Sequence, residues 1–366
     1  MKKKKVLFVF TLCALMSISF VSCNNDDDPK PDNPPGVKTT GVYFLNSGKM
    51  NSNNATLDYY DLEAKKLTTK AFSSVNGRGL GDTANDMLIY GSKMYIAVST
   101  SATIEVTDLS GKSLNVIKPK DEAGVPQQPR MLTAYKGKVY VTLFDGHLAC
   151  IDTTAMDITQ KVKVGPNPEG VCELNGKLYV ANSGGYNAIP DSTLTVVDAL
   201  TFTAAPDLIK VMINPKTIQK DTEGHLYVLS LGNYNIPENN VLQRLTISGD
   251  KVTSSVVESN SQIISTVCND KVYIYSAKQE NWTVVGYEFK VYDAKSSKME
   301  EKGFIADETT VHNTYCMSSD PVTNTIYIGT SDYTNTGDIY IFESNGKFIN
   351  RIETSGINPI AACFIN

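Results

Sequence analysis

Little in this chain of 366 residues is equipped for acid–base or metal chemistry. It holds three histidines, His147, His225 and His312. His147 falls in an Asp-Gly-His turn and His225 in a Glu-Gly-His turn that opens a strand, so both read as turn-edge residues. His312 precedes an inner strand and is placed to face a ligand. A metal centre or a nucleophile–base pair needs partners at fixed spacing, and none can be assembled around it. Asp61, Asp108, Asp152, Asp198 and Asp293 each end the same repeated segment. Repetition at one place in nearly every copy reads as a turn cap, not as a pair of glycosidase carboxylates. Of the seven cysteines, Cys13 and Cys23 lie in the amino-terminal leader region. The other five, Cys150, Cys172, Cys268, Cys316 and Cys363, are odd in number and form no CxxC pair. Four of them fall in inner strands, so they read as small buried core residues. The expectation is a protein that is not an enzyme, with no catalytic residues, no metal and no cofactor.

Binding chemistry is better represented. The stretches 46–55, 182–193, 230–240, 276–286 and 330–337 are long and polar, rich in Gly, Asn and Ser. Four of them carry a large aromatic near the tip: Tyr186, Tyr234, Trp282 and Tyr333. GGYN (184–187) and GNYN (232–235) are near copies, and Trp282 is the single tryptophan. Rigid amphipathic rings beside adaptable amides, here Asn182, Asn187, Asn233 and Asn235, suit a binding surface. The competing reading is turn chemistry, with Asn and Gly supplying positive φ and each tyrosine packing on its neighbour. A second set of polar residues lies between the repeats: Arg78, Gln128, Arg130, Asn167, Glu169, Asn214, Lys216, His312, Asn313 and Asn358. Of these, Arg130, Asn167 and His312 are expected to reach a ligand, although for any one Asn a join cap is the competing role.

The elements that would hold these residues are repeats. The unit seen in KLYVANSGGYNAIPDSTLTVVD (177–198) is a strand, a polar loop and a second strand closed by Asp. It recurs at 42–61, 94–108, 139–152, 226–246, 272–293 and 326–343. Every copy keeps a tyrosine, at Tyr43, Tyr95, Tyr140, Tyr179, Tyr227, Tyr273 and Tyr327, spaced 39 to 54 residues apart. A repeat of that length made only of strands predicts a β-propeller. Outer strands such as 160–165 and 347–353, and inner strands such as 129–137, 168–176 and 215–224, fill the intervals. Proline opens several inner strands, where no ladder donor is needed. The first copy lacks an inner strand before it, and 358–366 is an inner strand with no partner after it. Joining them closes an all-β, seven-bladed ring over 42–366, with the carboxy-terminal strand entering the amino-terminal blade. Short turns at 90–93, 135–138, 174–177 and 268–271 then mark a trimmed face, and the long polar loops an elaborated face where binding residues collect.

Residues 1–22 read as a signal peptide, with Lys2–Lys5 ahead of the apolar run Val6–Val21. The run ends FVSC, which resembles a bacterial lipobox with Cys23 as the lipidated first residue. Residues 23–41 are a Pro- and Asp-rich tether that cannot pack. Asp26–Asp28 resemble the export tag of Bacteroidetes surface lipoproteins, which implies display outside the outer membrane with lipid as the sole attachment; a periplasm-facing spacer is the competing reading. The formal charge is −5, and losing the four signal lysines makes the mature chain more acidic. No basic stripe exists, so nucleic acid is not an expected partner.

The segments KLYVANS (177–183), TVVDALT (195–201) and VGPNPEG (164–170), with their repeats, resemble the YVTN-type or YncE-like surface-layer propellers. With the lipobox and tether added, the chain resembles the BtuG-type surface propellers of Bacteroidetes, which capture vitamin B12. That resemblance implies a corrinoid ligand, cobalamin above all, handed to a TonB-dependent transporter. The amide-rich joins suit its polar edge. An oligosaccharide suits the same aromatic and amide groups, so a carbohydrate-binding or interaction propeller of a glycan-uptake system is the alternative.

Overall fold

The computed structural model of the chain describes residues 38–185, 187–233, 240–260, 262–281 and 283–366. The expected signal peptide, Cys23 and most of the tether lie outside the described residues. Seven antiparallel sheets form a ring, and the expected seven-bladed propeller is borne out. Blade 1 takes its inner strand, Pro359–Ile365, from the end of the chain. Its other strands, Gly41–Asn46, Thr56–Asp61 and Lys66–Thr68, come from the start. Blades 2 to 7 open in order on the inner strands Ala84–Tyr90, Pro129–Tyr135, Pro168–Leu174, Pro215–Lys220, Ile263–Cys268 and Thr314–Ser319. A six-residue helix, Ala71–Asn76, sits in the join between blades 1 and 2.

The second strand of each blade is apolar on both faces because it is covered on both faces. Side chains alternate across a strand, so Val42 and Phe44 pack toward blade 7 while Tyr43 and Leu45 pack toward blade 2. The core is therefore seven layers, one between each pair of neighbouring blades. The repeated tyrosine always faces the following blade and is buried in every copy. In three of the copies its hydroxyl is a staple to the next blade. Tyr43 donates to the carbonyl of Leu109 (3.1 Å), Tyr140 to Ala199 (2.9 Å) and Tyr273 to Ser344 (3.3 Å). Each of those carbonyls lies one or two residues past the end of the next blade's third strand.

The strand-end aspartates are turn caps. Asp61 accepts the N–H groups of Glu63 and Ala64, Asp152 those of Thr154 and Ala155, and Asp198 those of Leu200 and Thr201. Asp108 and Asp293 cap their turns in the same way. Closure of the ring is a full antiparallel ladder in which Val42 faces Phe364 and Tyr43 faces Cys363. The Thr40 N–H extends it to the Ile365 carbonyl at 2.8 Å. The five described cysteines are free; Cys172, Cys268, Cys316 and Cys363 lie on inner strands.

Candidate functional site at the mouth of the axial cavity

Each inner strand begins at the elaborated face, and its entry has a shared geometry. Thr83, Asn167, Asn214, Asn313 and Asn358, each immediately before an inner strand, hold φ between 47° and 63°. Asparagine tolerates this left-handed region better than most residues, so the join-cap role is real at these positions. The ladder then slips. In blades 2, 5, 7 and 1 the register skips the residue after the strand's first, and in blades 3 and 4 it skips that residue and the next. Such bulges re-aim the side chain they free. Here they free Asn85, Arg130, Glu169, Lys216, Tyr315 and Ile360.

Three of these meet. Arg130 grips Glu169 through Nε and Nη2, both at 2.8 Å, and Lys216 Nζ reaches the same carboxylate at 2.6 Å. The cluster thus ties blades 3, 4 and 5 together at the rim. The Glu169 side chain is only 5% exposed. Burial works against its charge, but Lys216 and Arg130 outweigh that and hold the carboxyl below its usual range. Burial and the Arg130 charge lower the Lys216 amine, with Glu169 opposing them. Two cations share one carboxylate, which leaves a net positive charge. The Arg130 guanidinium also stands over the Phe144 ring, 5.3 Å from its centre.

Below the rim lies a cavity of about 500 Å³ lined by the inner strands of all seven blades. Asp86, Met131, Gly170, Ile263 and Ile360 lie near the starts of their inner strands, and Leu229 and Leu231 stand at the end of blade 5's second strand, so it lies toward the elaborated face. Met131, Leu132, Ile218, Ile264, Met317 and Ile360 make most of it apolar, while Lys216 and Asp86 bring charge to it. Asp86 accepts the N–H groups of Met87 (2.9 Å) and Leu132 (2.8 Å), yet burial pushes its carboxyl up to about 7. An apolar cavity of this size with a few convergent polar groups and perturbed titration is the usual form of a small-molecule site.

The expected site residues are distributed unevenly around this mouth. Tyr333 is 62% exposed and packs edge-on against Tyr315, ring centres 5.6 Å apart; Tyr315 lines the cavity. His312 is exposed and sits edge-on to Tyr287 at 5.3 Å. Asn187 is exposed. Asn167 is half-buried, donating to the Phe144 carbonyl at 3.1 Å while its own carbonyl accepts the Ser183 hydroxyl. Asn182 is 0% exposed, and its amide is engaged by Gly165, Thr193 and Thr195. It belongs to the frame of the blade. Asn233 is buried. Tyr186, Tyr234, Asn235 and Trp282 lie outside the described residues. The stretch 276–286 is not a loop over most of its length: the strands Lys271–Glu280 and Thr283–Asp293 stay paired as far as Glu280 and Thr283. The β-branched run Thr283–Val285 continues the ladder beyond the blade.

Sequence reasoning missed Asp86, Tyr287 and Tyr315, and it did not pair Glu169 with Lys216. The signal for the last was present: Arg130, Glu169 and Lys216 each follow an inner strand's opening proline in three consecutive blades, with alternating sign.

No family model matches the chain, and no curated protein matches it in sequence. In three dimensions it is similar to a provisionally named 6-phosphogluconolactonase from Bacteroides uniformis ATCC 8492, at 10% identity and TM-score 0.62, over 89% of this chain and 100% of that one. A second, from Bacteroides fragilis NCTC 9343, matches at 11% identity and TM-score 0.57 over 91% and 100%. The extracellular domain of a provisionally named one-component system from B. thetaiotaomicron matches at 12% identity and TM-score 0.57, over 87% of this chain and 45% of that one. The expectation that the chain is not an enzyme is corrected here. Two of these neighbours carry enzyme names, so scarce histidines on this ring do not separate a binder from a catalyst. At such identities the likeness is one of fold, and the chain stands as a seven-bladed β-propeller.

Proposed function

We propose that the chain is a lipid-anchored propeller, displayed on the outer membrane, that captures a ligand across its elaborated face. The observation that carries this reading is the gathering of rings on that face: exposed Tyr333 over half-buried Tyr315, and exposed His312 beside Tyr287, next to the amides of the joins. Amphipathic rings held on a rigid scaffold supply contact area at low entropic cost. The first ligand is a corrinoid, passed to a TonB-dependent transporter, in keeping with the tether and repeat resemblances. An oligosaccharide is the second, because the exposed Tyr333 ring offers a sugar a stacking platform.

The test is calorimetry with cyanocobalamin and a panel of oligosaccharides. Truncating a good aromatic anchor removes about 2 kcal/mol or more of binding, so Tyr333→Ala should weaken the true ligand at least tenfold. Lys177→Ala, on the trimmed face, should change nothing. Sugar binding without cobalamin binding would keep the face and replace the ligand; indifference to Tyr333→Ala would remove the site. Anchoring is tested separately: Cys23→Ala should move the protein from the membrane fraction to the soluble one with its thermal midpoint unchanged.

A further inference from the structure

We propose that the axial cavity is a second site, for a small monocarboxylate with an apolar body, its carboxylate held by Lys216. The inference goes beyond the loop-face reading, because the cavity lies under the loops and does not use Tyr333. Three observations converge on it. The first is charge. The rim cluster has two cations and one carboxylate, and Glu169 is the only ion-pair partner of Lys216 among the described residues. An ammonium has three donors, so Lys216, which lines the cavity, keeps donors for an anion.

The second is asymmetry at one level of the ring. Blades 2 to 5 place polar side chains directly after the first residue of the inner strand. Blades 6, 7 and 1 place Ile264, Tyr315 and Ile360 there. The mouth is therefore polar on one side and apolar on the other, which orients an amphipathic molecule with its charged end toward blade 5. Asp86 is the one carboxyl in the lining, and burial weakens its charge, so it does not bar an anion.

The third is size. At the roughly 30 Å³ that a water occupies in the liquid, a cavity of about 500 Å³ accommodates a molecule of about fifteen non-hydrogen atoms. This is far smaller than any ligand that would span the loops.

The probes are 4-phenylbutyrate and its neutral isostere 4-phenylbutyramide, titrated by calorimetry into the chain from Asn24 onward, which keeps the whole described ring. The acid should bind at least tenfold more tightly than the amide. Lys216→Met should bring the acid to the level of the amide. Ala361→Trp, which adds a large ring to the blade 1 wall across the ring from blade 5, should abolish binding of both. Tyr333→Ala should leave both unchanged, so this site and the loop-face site fail independently. Equal affinity for acid and amide in the unsubstituted protein, binding of neither, or an unaltered Lys216→Met would each overturn the proposal. The comparison of acid with amide needs no variant, so a misfolded substitution does not shield it.

Discussion

Glu169 shows how much one side chain carries at the rim. Removing one partner of a buried ion pair leaves the others uncompensated and typically destabilises by about 3 kcal/mol or more. Glu169→Gln strands both Arg130 and Lys216 against each other, and a loss on that order should appear in urea denaturation. Asp86 makes the opposite kind of statement. Its folded pKa, about 7, lies above the ordinary carboxyl value of 3.8. Between those values the unfolded chain has released the proton and the folded chain keeps it, so the contribution of Asp86 to stability is greatest below about 4 and falls as pH rises to about 7. The slope is at most about 1.4 kcal/mol per pH unit. Asp86→Asn should flatten that part of the profile of thermal midpoint against pH; an unchanged profile would assign the dependence elsewhere. At this scale the sequence was partly legible. Asp198 and its counterparts read correctly as caps because repetition betrays a structural role. Asn182 and Asn187 have the same chemistry five residues apart, yet one is sealed inside a hairpin and the other faces solvent. Composition carries no sign of which.

The blade is an element that cannot stand alone, since its second strand is apolar on both sides. Two details make neighbouring blades specific to each other. One is the tyrosine staple. Tyr140→Phe keeps the ring and its packing but leaves the Ala199 carbonyl without its donor, and should lower stability by about 1 kcal/mol with no change in the circular dichroism of the native state. The other is Gly170. A Cβ there would stand 2.9 Å from the backbone atoms Lys216 O and Ile218 N. Gly170→Ala must push the inner strands of blades 4 and 5 apart, and overpacking of this kind costs about 1–3 kcal/mol. It should also disturb Lys216, so the thermal midpoint and the binding of 4-phenylbutyrate should fall together. Strands of this kind are legible because a two-residue period survives in Tyr, Val and Ile at fixed spacing. The bulges are not, because a slipped register is decided by the neighbouring strand and the join before it. For that reason Tyr315 and Lys216 could be seen in the sequence but not placed at one level of the ring.

For the molecule as a whole, the architecture was legible from its two incomplete ends. The missing inner strand before Gly41 and the spare one at Pro359–Ile365 state the blade number and the closure together. Deleting Pro359–Asn366 should bare the inner edge of Gly41–Asn46 and open the channel wall, seen as a large fall in thermal midpoint and a rise in aggregation. The same ladder has a consequence in time. Thr40 and Ile365 are bonded neighbours separated by 325 positions. When the chain is delivered from its amino terminus onward, blades 2 to 7 each receive all their strands in sequence order and stack as an open arc. Blade 1 alone waits, with three strands made first and one made last. Entropy of closing so long a loop is met only once, at the final step. Until Pro359–Ile365 arrives, the arc exposes a sticky margin at each end, and the order of delivery itself holds the ring unlatched.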